Sequence, residues 1–195
     1  MYEHHPLARH PIAVGVDLAR PADRVVLRVT LDSPALSVMT DLTWVDAAGI
    51  ELHAPMDGAN QTMIRLGVRL LFVHGPDGHL AGLVTATDIL GEKPMRLVQE
   101  RGVRHDEISV DDLMTPVDQL EAIAYADLAH AQVGHVVATL RQTGRQHTLV
   151  VETGAGGRRR VRGIFSVSQI SRQLGIAISG PNSAQTFSEL VAQLA

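Results

Sequence analysis

A hydroxyl and a carboxylate stand three residues apart in the phrase Gly82-Leu83-Val84-Thr85-Ala86-Thr87-Asp88. An apolar run precedes Thr85, so a strand is expected to end there and a helix to begin. The Thr85 hydroxyl and the free N–H groups of a first helical turn can hold a phosphate. Asp88, one turn further, can accept hydrogen bonds from both hydroxyls of a ribose. The phrase therefore combines a phosphate-binding group with a diol-binding group.

The phrase returns as Gly163-Ile164-Phe165-Ser166-Val167-Ser168-Gln169, in which a neutral amide replaces the carboxylate. The candidate binding residues of the first copy are Gly82, Thr85, Thr87 and Asp88. Those of a possible second site are Gly163, Ser166 and Gln169. Glycine at the start of each phrase is expected to let a ligand approach the strand closely.

The same spacing has a purely structural interpretation. Thr85-x-x-Asp88, Ser166-x-x-Gln169 and Ser109-x-x-Asp112 all fit a capping box, in which both side chains satisfy only the helix end. The third pair closes no repeat. Both interpretations stay open from the sequence.

The phrases belong to a longer repeat. Each follows a Met-Thr pair, Met39-Thr40 and Met114-Thr115, and the order strand, helix, strand, strand, helix lies between. A unit present only twice predicts two similar α/β units packed together, because a solenoid needs at least three. We expect a pseudo-twofold pair with the helices of each copy against its neighbour.

The first repeat is expected to contain strands at 49–52, 70–73 and 80–84, with a helix over 57–66 and another from Thr85. Gly67 should end the first of these helices, and its apolar side is Ala59, Met63, Ile64 and Leu66. The second repeat is expected to contain a strand at 120–123, a helix over 128–143, a hairpin of 148–151 with 161–165, and a helix over 167–174. The apolar stripe of the longer helix is Val133, Val136, Val137 and Leu140.

These elements divide the chain into five segments. Residues 1–36 form an extended arm with a strand at 25–31, and 37–93 form the first repeat. Residues 94–108 hold a linker helix begun by Pro94, and 109–175 form the second repeat. Residues 176–195 form a C-terminal helix whose apolar stripe is Phe187, Leu190, Val191 and Leu194.

Residues 37–175 resemble a pair of CBS domains, the regulatory module of the cystathionine β-synthase type. The resemblance rests on the Met-Thr lead-ins, the repeated element order and the Gly-x-x-Thr/Ser-x-x-Asp phrase. It implies an α/β (α+β) fold of two β-α-β-β-α repeats, often a disc-shaped homodimer. It also implies that AMP, ADP, ATP or S-adenosylmethionine binds in a cleft between the repeats. Gln169 departs from the family's carboxylate, so the Thr85/Asp88 cleft is the expected main site.

The composition argues against several classes of protein function. The net charge is −4, and there are three Phe, two Tyr and one Trp, which disfavours nucleic acid as a partner. No cysteine is present, so disulfides and thiolate chemistry are excluded. No apolar run has the length of a membrane span, no metal-ligand spacing is evident, and no nucleophile-base set or phosphate-loop motif indicates an enzyme. We expect a cytoplasmic protein.

The sequence and this resemblance therefore predict a homodimeric sensor that binds adenine nucleotide, acts on an unidentified partner protein and needs no obligatory cofactor. The alternative is a dimerisation scaffold whose clefts are empty or filled by its own side chains. A nucleic-acid-binding regulator using the arginines 158–160 and Arg162 is a weaker alternative, because the chain is acidic.

Overall fold

The computed structural model describes residues 29–176. The predicted arm and the predicted C-terminal helix with its stripe of Phe187, Leu190, Val191 and Leu194 lie outside these residues. Of the strand predicted over 25–31, residues 29–31 are described, and they are not in a strand.

Within residues 29–176 the chain forms strands and helices in the repeated order that the sequence predicts. The strands are β1 (Thr40–Asp41), β2 (Gly49–Glu51), β3 (Leu70–His74), β4 (Leu80–Thr85), β5 (Thr115–Pro116), β6 (Ala122–Ala124), β7 (His147–Thr153) and β8 (Arg159–Ser166). The α-helices are α1 (Met56–Leu66), α2 (Ala86–Leu90), α3 (Lys93–Arg101), α4 (Val110–Leu113), α5 (Val133–Thr143) and α6 (Val167–Leu174). A 3-10 helix, Ala35–Val38, precedes β1.

The helix ends follow from the local sequence. Helices α1, α3, α5 and α6 all end at a glycine in the left-handed conformation, namely Gly67, Gly102, Gly144 and Gly175. Such a conformation costs glycine little, because it has no Cβ. Pro94 lies in the first turn of α3, where its missing N–H leaves no hydrogen bond unmade.

The strands form two four-stranded sheets, and each sheet ends in a strand from the other repeat. The first has the order β2-β3-β4-β5 and the second the order β6-β7-β8-β1. Thr40 of the first lead-in pairs with Ile164, while Thr115 of the second lead-in pairs with Leu83. The two Met-Thr segments are therefore exchanged between the repeats.

The apolar core has three layers. The outer face of the first sheet packs with α1 to α4, and the outer face of the second packs with α5, α6 and Ala35–Val38. A middle layer joins the sheets face to face through Leu70, Phe72, Leu83 and Leu149. Strand β3 is buried on both faces, which explains its unbroken apolar run.

Three expectations need correction. The sheets, not the helices, form the layer between the repeats. Helix α5 begins at Val133 rather than at 128, because Leu128 belongs to a 3-10 helix, Tyr125–Ala129. On α1, Met56, Ala59 and Met63 are buried, whereas Ile64 and Leu66 are exposed. The predicted apolar side of α1 is therefore correct for Ala59 and Met63 and wrong for Ile64 and Leu66.

Candidate functional site

Thr85 and Asp88 bind each other at the start of α2. The backbone N–H of Thr85 and its hydroxyl donate to Asp88 Oδ2 at 2.9 and 2.6 Å, and the N–H of Asp88 lies 3.3 Å from Thr85 Oγ1. Thr85 is the N-cap of α2, and both halves of the capping box are present. The structural interpretation of this phrase is therefore realised.

The second carboxylate oxygen of Asp88 also has a partner. Lys93 Nζ lies 3.5 Å from Asp88 Oδ1 and donates to the carbonyl oxygen of Leu113. Because Leu113 belongs to the second lead-in, this lysine links α2, α3 and α4. A ribose diol at Asp88 would compete with the lysine for this oxygen.

Gly82 is packed against the exchanged strand. A Cβ at this position would lie 2.4 Å from the carbonyl oxygen of Thr115 and 2.9 Å from the sulfur of Met114. At Gly163, a Cβ would meet Met39 and Thr40 in the same way, at 2.7 to 2.8 Å. The glycine and Met-Thr features of the repeat thus contact each other across the two copies. Whether either glycine also approaches a ligand stays a prediction.

The second copy of the phrase does not form the predicted capping box. Gln169 Oε1 accepts a hydrogen bond of 2.7 Å from Thr40 Oγ1, and the Ser166 hydroxyl accepts no capping hydrogen bond from a backbone N–H of α6. The Ser166 hydroxyl instead lies 2.9 Å from that of Ser168. Because the amide oxygen of Gln169 binds the exchanged strand β1, its amide nitrogen remains as a hydrogen-bond donor.

Ser166 and Gln169 line a cavity of about 360 Å³ between the repeats, which we call the inter-repeat cavity. Its volume lies in the range of small-molecule sites. Apolar side chains from both sheets and from the segments that lead into them cover part of the wall: Leu42, Val45, Val68, Leu70, Phe72 and Ile164. Neither Thr85 nor Asp88 lines this cavity.

The charged groups of the inter-repeat cavity are mostly cationic. Arg69 and Arg172 line it, together with the carboxylate of Asp46. His147 also lines it, and burial, with a smaller effect of the Arg69 charge, lowers the pKa of His147 to about 4. Its Nδ1 atom is buried and has no hydrogen-bond partner among the described residues. The cavity thus offers hydrogen-bond donors and positive charge.

One wall of the inter-repeat cavity is a turn fixed by the other repeat. Thr43 donates from its N–H and its hydroxyl to Asp41 Oδ1 at 2.8 and 2.6 Å. Arg162 on β8 binds the same carboxylate and lies over the Tyr125 ring at 5.1 Å. These bonds, with that from Thr43 first, hold the pKa of Asp41 below its ordinary value. The turn leads directly into the cavity-lining residues 45–48.

No sequence pattern predicted Arg69, Arg172 or His147 as residues of a site. Arg172 lies three residues after Gln169, so helical spacing could have indicated that both share a face. Arg69 and His147 stand at the starts of buried strands, and nothing local distinguishes them from ordinary strand-end residues.

Within residues 29–176, no group of three or more His, Asp or Glu side chains could hold a metal ion. In the same part of the chain, no helix has the length and apolar character of a membrane span.

The fold is similar to that of several solved structures. An uncharacterized conserved protein from Pyrococcus horikoshii aligns with a TM-score of 0.52 and 23% identity, over 74% of this chain and 93% of that one. CBSX2 in complex with AMP aligns with a TM-score of 0.51 and 20% identity, over 72% of this chain and 94% of that one. CBSX2 is a CBS-pair protein from Arabidopsis thaliana.

Comparisons by sequence identify no relative of the chain. No protein-family model matches the chain, and no curated protein matches it. The likeness is one of fold: the described residues adopt the fold of a CBS-domain pair, as the resemblance predicted. The two repeats form the two sheets, and the exchanged lead-ins join them.

Proposed function

We propose that the chain is a regulatory module that binds an adenine nucleotide in the inter-repeat cavity. The observation that carries the proposal is the composition of that cavity, in which apolar walls from both sheets meet Arg69, Arg172, Ser166 and Gln169. CBSX2, which shares the fold, is described in complex with AMP.

Each part of a nucleotide has a complement in the cavity. The apolar side chains around Phe72 suit a purine base, and the two arginines suit phosphate oxygens. The amide nitrogen of Gln169 can donate to an acceptor of the sugar or the phosphate. S-adenosylmethionine is a poorer candidate than AMP, ADP or ATP, because its positively charged sulfonium would lie near the arginines.

The Thr85/Asp88 cleft stays a second candidate. Its residues Gly82, Thr85, Thr87 and Asp88 are predicted from the phrase alone, and Lys93 now occupies one oxygen of the carboxylate. This lysine favours the scaffold alternative for that cleft, in which a side chain of the protein fills the place of a ligand. The inter-repeat cavity is the better candidate for the nucleotide site, because it combines apolar walls with two arginines.

A ligand in the inter-repeat cavity would contact both repeats, because Thr40 and Gln169 come from different copies. A ligand that prefers one arrangement of the repeats shifts the population toward it. A change of this kind is how we propose that the module signals to a partner protein, with no catalytic step of its own.

A homodimer and a cytoplasmic location also remain proposals. Leu90 and Met95, on neighbouring helices, are 68% and 56% exposed, and apolar side chains exposed in this way are a candidate contact between copies. Light scattering of the full chain at high concentration should give twice the monomer mass. A monomer mass would reject the dimer.

Calorimetric titration tests the proposed ligand. AMP, ADP and ATP should bind more tightly than GMP or S-adenosylmethionine, and a ligand at a hundredfold its Kd should stabilise the fold by about 2.7 kcal/mol. Arg69→Gln should weaken the binding by about tenfold, the effect of losing one charge-assisted hydrogen bond. Arg65→Gln, an equal charge change on exposed α1, should leave the affinity unchanged and serves as the matched control.

A second pair of variants tests which of the two candidate sites, the inter-repeat cavity or the Thr85/Asp88 cleft, binds the nucleotide. Gln169→Ala should weaken nucleotide binding if the inter-repeat cavity is the site, and Asp88→Ala should not. The opposite result would move the ligand to the Thr85/Asp88 cleft. If no adenine nucleotide binds at millimolar concentration, the scaffold alternative replaces the proposal.

A further inference from the structure

A second cavity of about 480 Å³ opens on the hairpin side of the layer between the sheets, and we call it the hairpin cavity. Its wall is apolar, formed by Leu80, Val117, Leu120, Ala122, Leu149, Val151 and Val161. The polar side chains on its wall are His79, Arg159 and Arg160. Among the described residues no carboxylate lines it, so the cavity combines an apolar interior with positive charge.

The position of Arg159 follows from the strand geometry. Successive side chains of a strand point to opposite faces, so Arg159 and Val161 share one face of β8. Val161 packs on the middle layer between the sheets. The side chain of Arg159 consequently extends the same apolar face and lies at its outer end.

The cationic end of the hairpin cavity has no counterpart in the first repeat. The β7–β8 hairpin is longer than the β3–β4 hairpin, where Gly78 stands four positions before Gly82, as Arg159 stands four before Gly163. The longer hairpin therefore adds a guanidinium where the first repeat has no side chain. This difference distinguishes the cationic end of the hairpin cavity from the corresponding part of the first repeat.

Nearby carboxylates leave Arg159 uncompensated. Glu152 binds Arg160 at 2.6 Å and lies 3.8 Å from Arg162. The Asp77 carboxylate accepts from the N–H of His79 at 3.0 Å. Among residues 29–176, no hydrogen bond or ion pair holds the side chain of Arg159, which is therefore available to an anion.

We propose that the hairpin cavity binds a small amphipathic anion, with an apolar body between the sheets and one anionic head on Arg159. Charge complementarity selects the anion, and the apolar wall selects a ligand with a hydrocarbon or aromatic body. The site is separate from the inter-repeat cavity, because the two share no lining residue.

Titration of the full chain with decanoate tests the proposal. We expect saturable binding at one site per chain, and weaker binding of decanol, which has the same tail without the charge. Arg159→Gln should weaken decanoate binding by about tenfold. Arg158→Gln, the same charge change one residue earlier and outside the cavity wall, should leave it unchanged. Ala122→Phe, a substitution at an exposed strand position, should fill the cavity and abolish binding while the far-ultraviolet circular dichroism stays the same.

Each contrary outcome overturns the proposal. Equal loss in Arg158→Gln and Arg159→Gln would show general attraction to the arginine-rich hairpin, and equal binding of decanol would remove the anionic selectivity. Unchanged binding in Ala122→Phe would place the ligand elsewhere. A loss of decanoate binding in Arg69→Gln would place it in the inter-repeat cavity. Absence of saturable binding by millimolar decanoate would reject the site altogether.

Discussion

Three donors of the protein itself surround the carboxylate of Asp88, namely the N–H and the hydroxyl of Thr85 and the ammonium of Lys93. Gln169, at the matching position of the second copy, does not cap its helix, and its side chain binds Thr40 instead. The same position therefore serves as a helix cap in one repeat and as a link between the repeats in the other.

The cap gives a prediction about stability. Asp88→Ala should lower the free energy of unfolding by about 1–2 kcal/mol, because α2 loses its capping box and Lys93 loses its partner. Urea unfolding of the ligand-free protein measures the change. Asp118→Ala, which removes an exposed carboxylate at 117–119, is the control and should stay within about 0.5 kcal/mol. Equal effects in both variants would argue against a capping role.

His147 gives a prediction about pH. Its pKa is lowered to about 4 in the folded protein, against about 6.5 when unfolded. The unfolded chain therefore binds more protons between these values, so stability should be complete above pH 6.5 and fall as the pH drops toward 4. At pH 5 the loss should be about 2 kcal/mol.

The control for this effect is His147→Gln, which cannot titrate. Urea unfolding at pH 7.5 and pH 5 should show a smaller loss in the variant than in the natural protein. An equal loss would mean that other groups cause the pH dependence. The pKa of Asp112 is lowered too, since hydrogen bonds from Ser109 and Arg101 outweigh its burial, but such a carboxylate titrates below this window.

At this scale the sequence predicted residue types better than partners. The Thr85/Asp88 capping box was one of two open interpretations, and the structure realises it. The same interpretation was wrong for Ser166 and Gln169, because a hydroxyl distant in sequence, that of Thr40, competes for the amide. Local spacing cannot reveal such a competitor.

Secondary-structure elements were predicted well wherever a local signal defined them. The bounds of α6 and the glycine that ends α1 follow from apolar spacing and from the left-handed conformation. The exchange of β1 and β5 was not predicted. A two-residue strand has no apolar period of its own, and its partner depends on the packing of the whole chain.

The exchanged strands give a prediction at the glycines. Gly82→Ala should destabilise the fold by about 1–3 kcal/mol, because its Cβ would overlap the backbone of Thr115. Gly163→Ala should do so less, since the carbonyl oxygen of Thr40 would lie 2.8 Å from its Cβ, against 2.4 Å for that of Thr115 at Gly82.

Gly58→Ala is the control for both substitutions. It lies within α1, where a Cβ meets only Pro55 at 3.9 Å, and alanine should stabilise the helix by about 0.5–1 kcal/mol. Chemical denaturation measures all three variants. Tolerance of alanine at Gly82 would show that β5 is not held closely against β4.

The molecule as a whole is divided differently in space and along the sequence. The core on the outer face of the first sheet draws its buried residues from 56–113, including Ile108 of the linker and Val110 and Leu113 of the second repeat. The opposite core includes Ala35 and Val38 from the first lead-in. Neither sequence repeat alone contains a complete core.

This division predicts how fragments behave. Residues 37–95 lack Leu97, Ile108, Val110 and Leu113, so this fragment should not unfold cooperatively. Residues 42–120 contain that whole core, so this fragment should retain more helix and unfold in a sharper, more cooperative transition. Circular dichroism and urea titration compare the two fragments. Cooperative unfolding of 37–95 as a stable monomer would contradict the interdependence of the repeats.

Strand exchange also sets the order in which the chain can fold during its synthesis. Thr40 and its partner Gln169 are 129 positions apart, a separation that a ribosome covers in roughly ten seconds at about 5–20 residues per second. The first sheet can close once β5 has emerged. The segment around Ala35 and Val38, although made earlier, must wait for α5, β8 and α6 before its apolar side chains are covered. The nascent chain therefore carries the apolar side chains of Ala35 and Val38 uncovered until α6 has been made, and this packing step follows the closure of the first sheet.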